Sequence, residues 1–337
     1  MSVLVTDLLA GSQRALARLL TYIENEHPQA QAALAALYPH TGKAHLVGVT
    51  GAPGTGKSSL VNSLAKAYRA AGQTVGIIAV DPTSPFSGGA ILGDRIRMRD
   101  LTGDRGVFIR SMATRGSLGG LARATGDAVR ALDAAGFDVI LIETVGAGQS
   151  EIDIARQAHT TLVVEAPGLG DEVQAIKAGI LEIADVLVVN KADQPGVQST
   201  VRALRTLLDL GSNRPPSGLH HGLPAQDSRQ PAADHRPDEW QTPIVETVAT
   251  EGRGIDVLQR AIQAHRAYLR ESGQLRLRER QRQEIELQSR LQEVLFRQVA
   301  ERIDPALWQA VLDQVAAREL APADAVERLL QTVGLAD

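Results

Sequence analysis

Gly51-Ala52-Pro53-Gly54-Thr55-Gly56-Lys57-Ser58 follows the pattern G-x-x-x-x-G-K-[ST]. Its flanks give the pattern meaning. Before it, His45-Leu46-Val47-Gly48-Val49-Thr50 is a short apolar run suited to a buried strand. After it, Leu60, Val61, Leu64 and Ala65 recur at helical spacing up to Ala71. Strand, glycine loop and helix in that order make an anion cradle. Glycines let successive backbone N–H groups face one anion, and the helix N-terminus adds partial positive charge. On this reading Gly51 through Ser59 contact phosphate, Lys57 reaches the β- and γ-phosphates, and the Ser58 hydroxyl ligates magnesium. A glycine-rich turn that binds nothing is the alternative, and the strand and helix on either side disfavour it.

The rest of the chain repeats the alternation. Apolar runs of strand length stand at 46–50, 74–80, 107–110, 139–142, 162–165, 186–189 and 244–247, separated by helical stretches. Continuous apolar strands alternating with helices predict an α/β fold with a mostly parallel, roughly seven-stranded sheet covered on both faces. Right-handed crossovers then bring the strand C-termini to one edge, where ligands bind.

The loops at that edge carry the remaining candidates. Asp81-Pro82, Gly88-Gly89 and Gly93-Asp94-Arg95 follow the second strand. Asp81 is suited to hold a magnesium-bound water or the attacking water, and Asp94 to reach the metal. Equally, Asp81 opens an Asx-turn before Pro82 and Asp94 caps a helix. The fourth strand ends in Glu143-Thr144-Val145-Gly146. A carboxylate at a buried strand end suits a magnesium relay, and the Gly146 N–H meets a γ-phosphate, as in nucleoside triphosphatases; a helix cap is the alternative. Ala147 occupies the place where many small GTPases carry a water-orienting glutamine, which predicts slow intrinsic turnover. In the loop after the fifth strand, Asp171 and Lys177 would couple to the phosphates, or serve only as a helix cap and a solvated side chain.

The sixth strand runs into Asn190-Lys191-Ala192-Asp193. N-K-x-D at a strand end reads guanine: the Asp193 carboxylate accepts from the ring N–H and the exocyclic amine together. Adenine lacks that donor pair, so the mismatch leaves polar groups unpaired. Lys191 would lay its stem along the base, while Asn190 ties neighbouring loops together. Val248-Ala249-Thr250, after the seventh strand, would offer a backbone N–H to the guanine oxygen. The nucleotide is therefore GTP or GDP, with Mg2+.

Composition narrows the class further. The chain has 337 residues, is 44% apolar, carries a formal net charge of -4 and has no cysteine. It can bury a full core, and it lacks the basic runs of a non-specific nucleic-acid binder. Disulfides, thiolate metal sites and cysteine nucleophiles are excluded. No apolar run reaches membrane-spanning length and the N-terminus has no signal-peptide pattern, so a cytoplasmic protein without a membrane partner is expected. His220, His221 and His235 sit in a Pro-, Gly- and Asp-rich stretch at 211–239, which reads as a solvated loop rather than a metal site. The expected organisation is an N-terminal helical segment at 1–43, a nucleotide domain at 44–270 and a C-terminal helical extension at 271–337. Leu8, Leu9, Leu16, Leu19, Leu20 and Ile23 form the stripe of the first. Ile285, Leu291, Leu295, Val299 and Ile303 form that of the last, with Asp304-Pro305 as a helix start.

Blocks 79–84, 88–95, 143–151 and 167–172 resemble the MeaB/ArgK family, GTPases associated with methylmalonyl-CoA mutase within the P-loop metallochaperone group. The resemblance covers nearly the whole chain. It implies a P-loop NTPase fold in which Lys57 and Ser58 bind phosphate and metal. Asp81, Asp94 and Glu143 would serve magnesium and the switches, and Lys177 would lie in a third switch that senses the mutase. Asn190, Lys191 and Asp193 would read guanine. The C-terminal helices would form a homodimer, and the partner would be an adenosylcobalamin-dependent acyl-CoA mutase. The chain departs from the common Ser-Ala base loop at Val248, which removes a hydroxyl but leaves the backbone role. Three other functions are possible for such a chain: a transport-linked kinase for basic amino acids, a nickel-insertion accessory GTPase, which the missing cysteines oppose, and a binding module that never turns over.

Overall fold

In the computed structural model, residues 2–81, 98–101, 103–113, 120–144, 157–168, 183–212 and 239–334 are described. Seven strands form one parallel sheet: β1 (His45–Thr50), β2 (Val75–Asp81), β3 (Val107–Ala113), β4 (Val139–Thr144), β5 (Thr160–Glu165), β6 (Val186–Val189) and β7 (Ile244–Glu246). Their order is β3-β2-β4-β1-β5-β6-β7. The chain leaves β1 for one side, returns through β4, and crosses to β5 on the other. β1 therefore lies at the point where the winding reverses, and its C-terminal end opens the crevice that ligands use in such sheets. All seven expected strands are present. β3 runs three residues past its expected end because Val80 and Asp81 pair with Met112 and Ala113. Thr74 falls outside β2 because its N–H and hydroxyl are held by the Asp138 carboxylate, at 2.8 Å each.

Alternate residues of each strand enter opposite cores. Ile78, Val80, Ile140 and Ile142 face one side, where α1 (Val3–Leu9), α2 (Gln13–Glu24), α3 (Pro28–Leu37) and α5 (Gly120–Ala134) cover them. Ile77, Val139, Leu141, Leu162 and Val164 face the other, packed on α4 (Lys57–Ala70) and α7 (Ile255–Glu271). Val163, Leu187 and Val189 pack on α6 (Val197–Ser212). The apolar stripe of the N-terminal helices is thus spent on the sheet: Leu8, Leu16, Leu19, Leu20 and Ile23 are all buried there. Two of these helix starts have a local cause. Ser12 caps α2 by accepting from the Ala15 N–H, and α3 begins with Pro28 in its first turn.

The chain divides into two compact units, Met1–Arg278 and Glu279–Asp337. The second holds most of α8 (Gln274–Ala300), with α9 (Pro305–Ala316) and α10 (Pro322–Thr332). Ile303, Val311, Ala325 and Leu329 make its small core, and Asp304 caps α9 through the Ala306 N–H. Leu287, Leu291, Leu295 and Phe296 of α8 are exposed. Among the described residues, no helix is long and apolar enough to cross a membrane.

Candidate functional site

The loop from Gly51 to Gly56 leaves β1 and enters α4 through Gly56, an N-cap residue with no side chain to cap the helix. Two glycines are obligatory. Gly51 has φ 138° and a Cβ there would collide with the Val164 carbonyl of β5; Gly56 has φ 93° and a Cβ there would collide with the Asn190 amide. The loop is therefore clamped between two neighbouring strand ends. Lys57 is 6% exposed, and its ammonium donates to the carbonyl oxygens of Gly51 at 2.7 Å and Ala52 at 2.9 Å. That positive charge lies against the concave face of the loop. The Thr55 hydroxyl closes the turn by donating to the Ala52 carbonyl at 2.9 Å.

Beneath the loop, the Ser58 hydroxyl donates to Glu143 Oε1 at 2.6 Å, and both residues are buried. Glu143 reaches this position because β4 pairs with β1 in the register Val49↔Glu143. Ala79 of β2 pairs with Glu143 on the other side. The backbone of Asp81 therefore lies at the same sheet edge, two residues further on. Thr144 Oγ1 donates to Thr50 Oγ1 at 3.0 Å, locking the two strand ends together. Sequence reading does not single out this threonine pair; two hydroxyl residues ending otherwise apolar strands are its signal.

Asn190 is the hub on the other side. Its amide donates to the Thr55 carbonyl at 2.8 Å, and its side-chain oxygen accepts from the Ala249 N–H and the Thr247 hydroxyl at 3.1 Å each. One side chain thus joins the phosphate loop, β6 and the segment after β7, as its expected tying role requires. Thr247 is a second participant that sequence reading passes over. Lys191 follows in the left-handed region at φ 58°, uncommon for a residue with a side chain, and its stem passes beside Gly56. Asp193 is exposed, on the turn that follows. Val248 and Ala249 are buried and Thr250 is exposed, in a short 3-10 turn where the Val248 N–H donates to the Arg253 carbonyl at 3.0 Å. The expected sites Asp94, Gly146 and Lys177 lie outside the described residues. Among the described residues, no group of three or more His, Asp or Glu side chains is placed to hold a metal.

A glycine loop between a central strand and a helix, a serine–carboxylate pair beneath it and N-K-x-D on the same edge define a P-loop GTPase. Comparison with known proteins agrees. The family model described as methylmalonyl Co-A mutase-associated GTPase MeaB matches residues 16–304. A candidate GTPase of Pyrococcus horikoshii is 45% identical over 332 residues, covering 98% of this chain and 97% of its own. The GTPase ArgK of Escherichia coli is 36% identical over 286 residues, 84% of this chain and 80% of its own. Among solved structures, that of an LAO/AO transport system kinase superposes with a TM-score of 0.67 at 27% identity, covering 98% of this chain and 96% of that one. The chain belongs to the MeaB family of methylmalonyl-CoA mutase-associated GTPases. It binds guanine nucleotide and hydrolyses GTP.

Proposed function

We propose that this GTPase is a nucleotide-gated chaperone of an adenosylcobalamin-dependent methylmalonyl-CoA mutase, coupling GTP hydrolysis to cofactor loading and to protection or reactivation of the mutase. The observation that carries this reading is the family match across residues 16–304, which spans the whole nucleotide site and α8.

In this reading Lys57 leaves its loop carbonyls to bind the β- and γ-phosphates, and the N–H groups of Gly54 through Ser59 cradle them. Ser58 and Glu143 are hard oxygen donors brought within 2.6 Å, a set that suits Mg2+. Asp81 and Asp94 would complete it. The ion, when bound, neutralises phosphate charge. Water displaces GDP from the γ-phosphorus, and charge on the transferring group is stabilised by the Lys57 ammonium and the phosphate-loop N–H groups, joined by the N–H of Gly146 from the segment after β4. Asn190, Lys191 and Asp193 select guanine, helped by the backbone of Val248, Ala249 and Thr250. With Ala147 in place of a water-orienting side chain, turnover waits on the partner, sensed through the segment containing Lys177.

Three parts of the chain divide the labour in this reading. Residues 1–43 cover the sheet, residues 44–270 bind nucleotide, and residues 271–337 pair two copies through the C-terminal helices. The exposed Leu287, Leu291, Leu295 and Phe296 support that homodimer. A cytoplasmic setting fits these partners. A second reading is favoured by the solved relative described as a transport system kinase: phosphoryl transfer to a protein acceptor. Incubation with γ-labelled GTP and the mutase separates the two, since release of free phosphate supports chaperoning and label on a protein supports the kinase. Retention of the mutase by the protein loaded with a GTP analogue or with GDP, but not equally with both, is the expected result. Equal or absent retention in both states contradicts gating.

A further inference from the structure

α4 reaches both ends of the nucleotide site. Lys57 and Ser58 occupy its first turn. Ser63, on the same helix, donates its hydroxyl to the Ala249 carbonyl at 2.6 Å. Ser63 stands five residues along the helix from Ser58, a rise of about 7.5 Å. The helix that presents the phosphate-binding lysine therefore also grips the loop after β7.

Ala249 is held on both sides of its Cα. Its N–H donates to Asn190 Oδ1 at 3.1 Å, and its carbonyl accepts from Ser63 at 2.6 Å and, within the turn, from the Gly252 N–H at 3.3 Å. The peptide that carries that carbonyl also carries the Thr250 N–H. A trans peptide is planar, so fixing the direction of the Ala249 C=O fixes the Thr250 N–H in the opposite direction. Leu60 and Leu64 of α4 pack in the same core as Ala249 and Ile255, which keeps Ser63 in register with the loop. Gly254 closes the loop at φ 77°, where a Cβ would collide with the Glu246 carbonyl. The peptide orientation is thus set by Ser63 and Asn190 from outside the loop together with the Gly252 N–H from within it.

We propose that Ser63 is a positioning residue for base selection: its hydroxyl, acting from within the phosphate-loop helix, orients the 249–250 peptide so that the base loop meets the oxygen on C6 of guanine. This rests on the reading that the segment at 248–250 faces the base. It assigns discrimination at C6 to Ser63 and Asn190 acting through backbone, and leaves discrimination at the C2 amine to Asp193. Such a division matters here because Val248 supplies no hydroxyl of its own to brace the loop.

The test is a cycle of two variants and three nucleotides on the full chain. 6-Thio-GTP replaces the C6 oxygen by a weak acceptor and keeps both donors that Asp193 reads. ITP keeps the C6 oxygen and lacks only the C2 amine. Ser63→Ala, which substitutes a better helix former, is expected to weaken GTP and ITP by about three- to tenfold, the worth of one neutral hydrogen bond. It should leave 6-thio-GTP nearly unchanged, so the GTP/6-thio-GTP ratio shrinks while the GTP/ITP ratio holds. Ser63→Thr, which retains the hydroxyl, should restore the wild-type ratio. A GTP/6-thio-GTP ratio identical in the wild type and Ser63→Ala, with all three nucleotides weakened alike or none weakened, overturns the proposal. A wild type that does not distinguish GTP from 6-thio-GTP overturns the reading of the base loop itself.

Discussion

The Ser58 hydroxyl and the Glu143 carboxylate meet at 2.6 Å beneath the phosphate loop, joining the first turn of α4 to the end of β4. That bond commits Glu143 to the phosphate side of the sheet edge. Glu143→Gln keeps the shape and an acceptor for Ser58 but removes the charge. We expect single-turnover GTP hydrolysis to fall by about 10²–10³-fold, as when one electrostatic contributor to the transition state is lost. GTP affinity should change far less. Rapid-quench kinetics alongside equilibrium binding checks the split, and a loss confined to affinity would contradict it.

Lys57→Ala removes the ammonium that lies against the concave side of the phosphate loop. Charge-assisted bonds to two phosphate groups are lost, so GTP affinity should fall by about 100-fold or more. Fluorescent-nucleotide titration measures it, and retained affinity would mean that the loop cradles something else.

Asn190→Ala deletes three hydrogen bonds at one buried hub. The Thr55 carbonyl, the Ala249 N–H and the Thr247 hydroxyl lose their partners together. Stability should drop by about 2–4 kcal/mol, and GTP binding should weaken because two loops lose their common tie. Denaturant unfolding with and without GTP checks both effects.

How far the sequence foretells these contacts depends on their range. The strands and the phosphate loop are legible because each is a local pattern, an apolar run or a glycine spacing, whose physics acts over a few residues. Thr160 and Thr161 do not read as strand residues because two threonines interrupt the apolar run at the start of β5; pairing with Val47 and Gly48 brings them in. The Asn190 hub is legible in role but not in partners, since Thr247 and Ala249 arrive from more than fifty residues away. The polar cluster at the opposite edge of the sheet is not legible at all. Asp185 precedes β6, His265 lies on α7 and Arg278 on α8, and only the fold brings them together. Nothing in their spacing distinguishes them from surface charges.

Burial pushes the Asp185 carboxyl up, but the bonds and charges of His265 and Arg278 outweigh it and hold the group below the ordinary aspartate value. Arg278 grips it with two bonds, at 2.9 and 3.1 Å. Asp185→Ala should cost about 2–4 kcal/mol, below the figure for a fully buried pair because Arg278 is 39% exposed. Chemical denaturation at pH 7 checks it.

His45 gives the pH dependence. Burial, then the positive charge of Arg266, holds its imidazole well below the ordinary histidine value. A depressed histidine contributes stability that is complete above the unfolded value of about 6.5 and is lost as pH falls below it. Asp185, also depressed, acts only below about pH 4 and is silent in this window. Unfolding free energy should therefore fall by about 1 kcal/mol on His45's account between pH 7 and 5.5. His45→Asn should show a slope shallower by that amount, and an unchanged slope would mean that His45 is not the group titrating.

In the proposed site one purine nucleotide spans the loop at 51–58 and the motif at 190–193. Steady-state hydrolysis of GTP and of xanthosine triphosphate by wild type and Asp193→Asn tests it most directly. The expected result is a fall in kcat/KM for GTP with a gain for xanthosine triphosphate, reversing the preference. A variant that still prefers GTP as strongly as the wild type would show that Asp193 does not read the base.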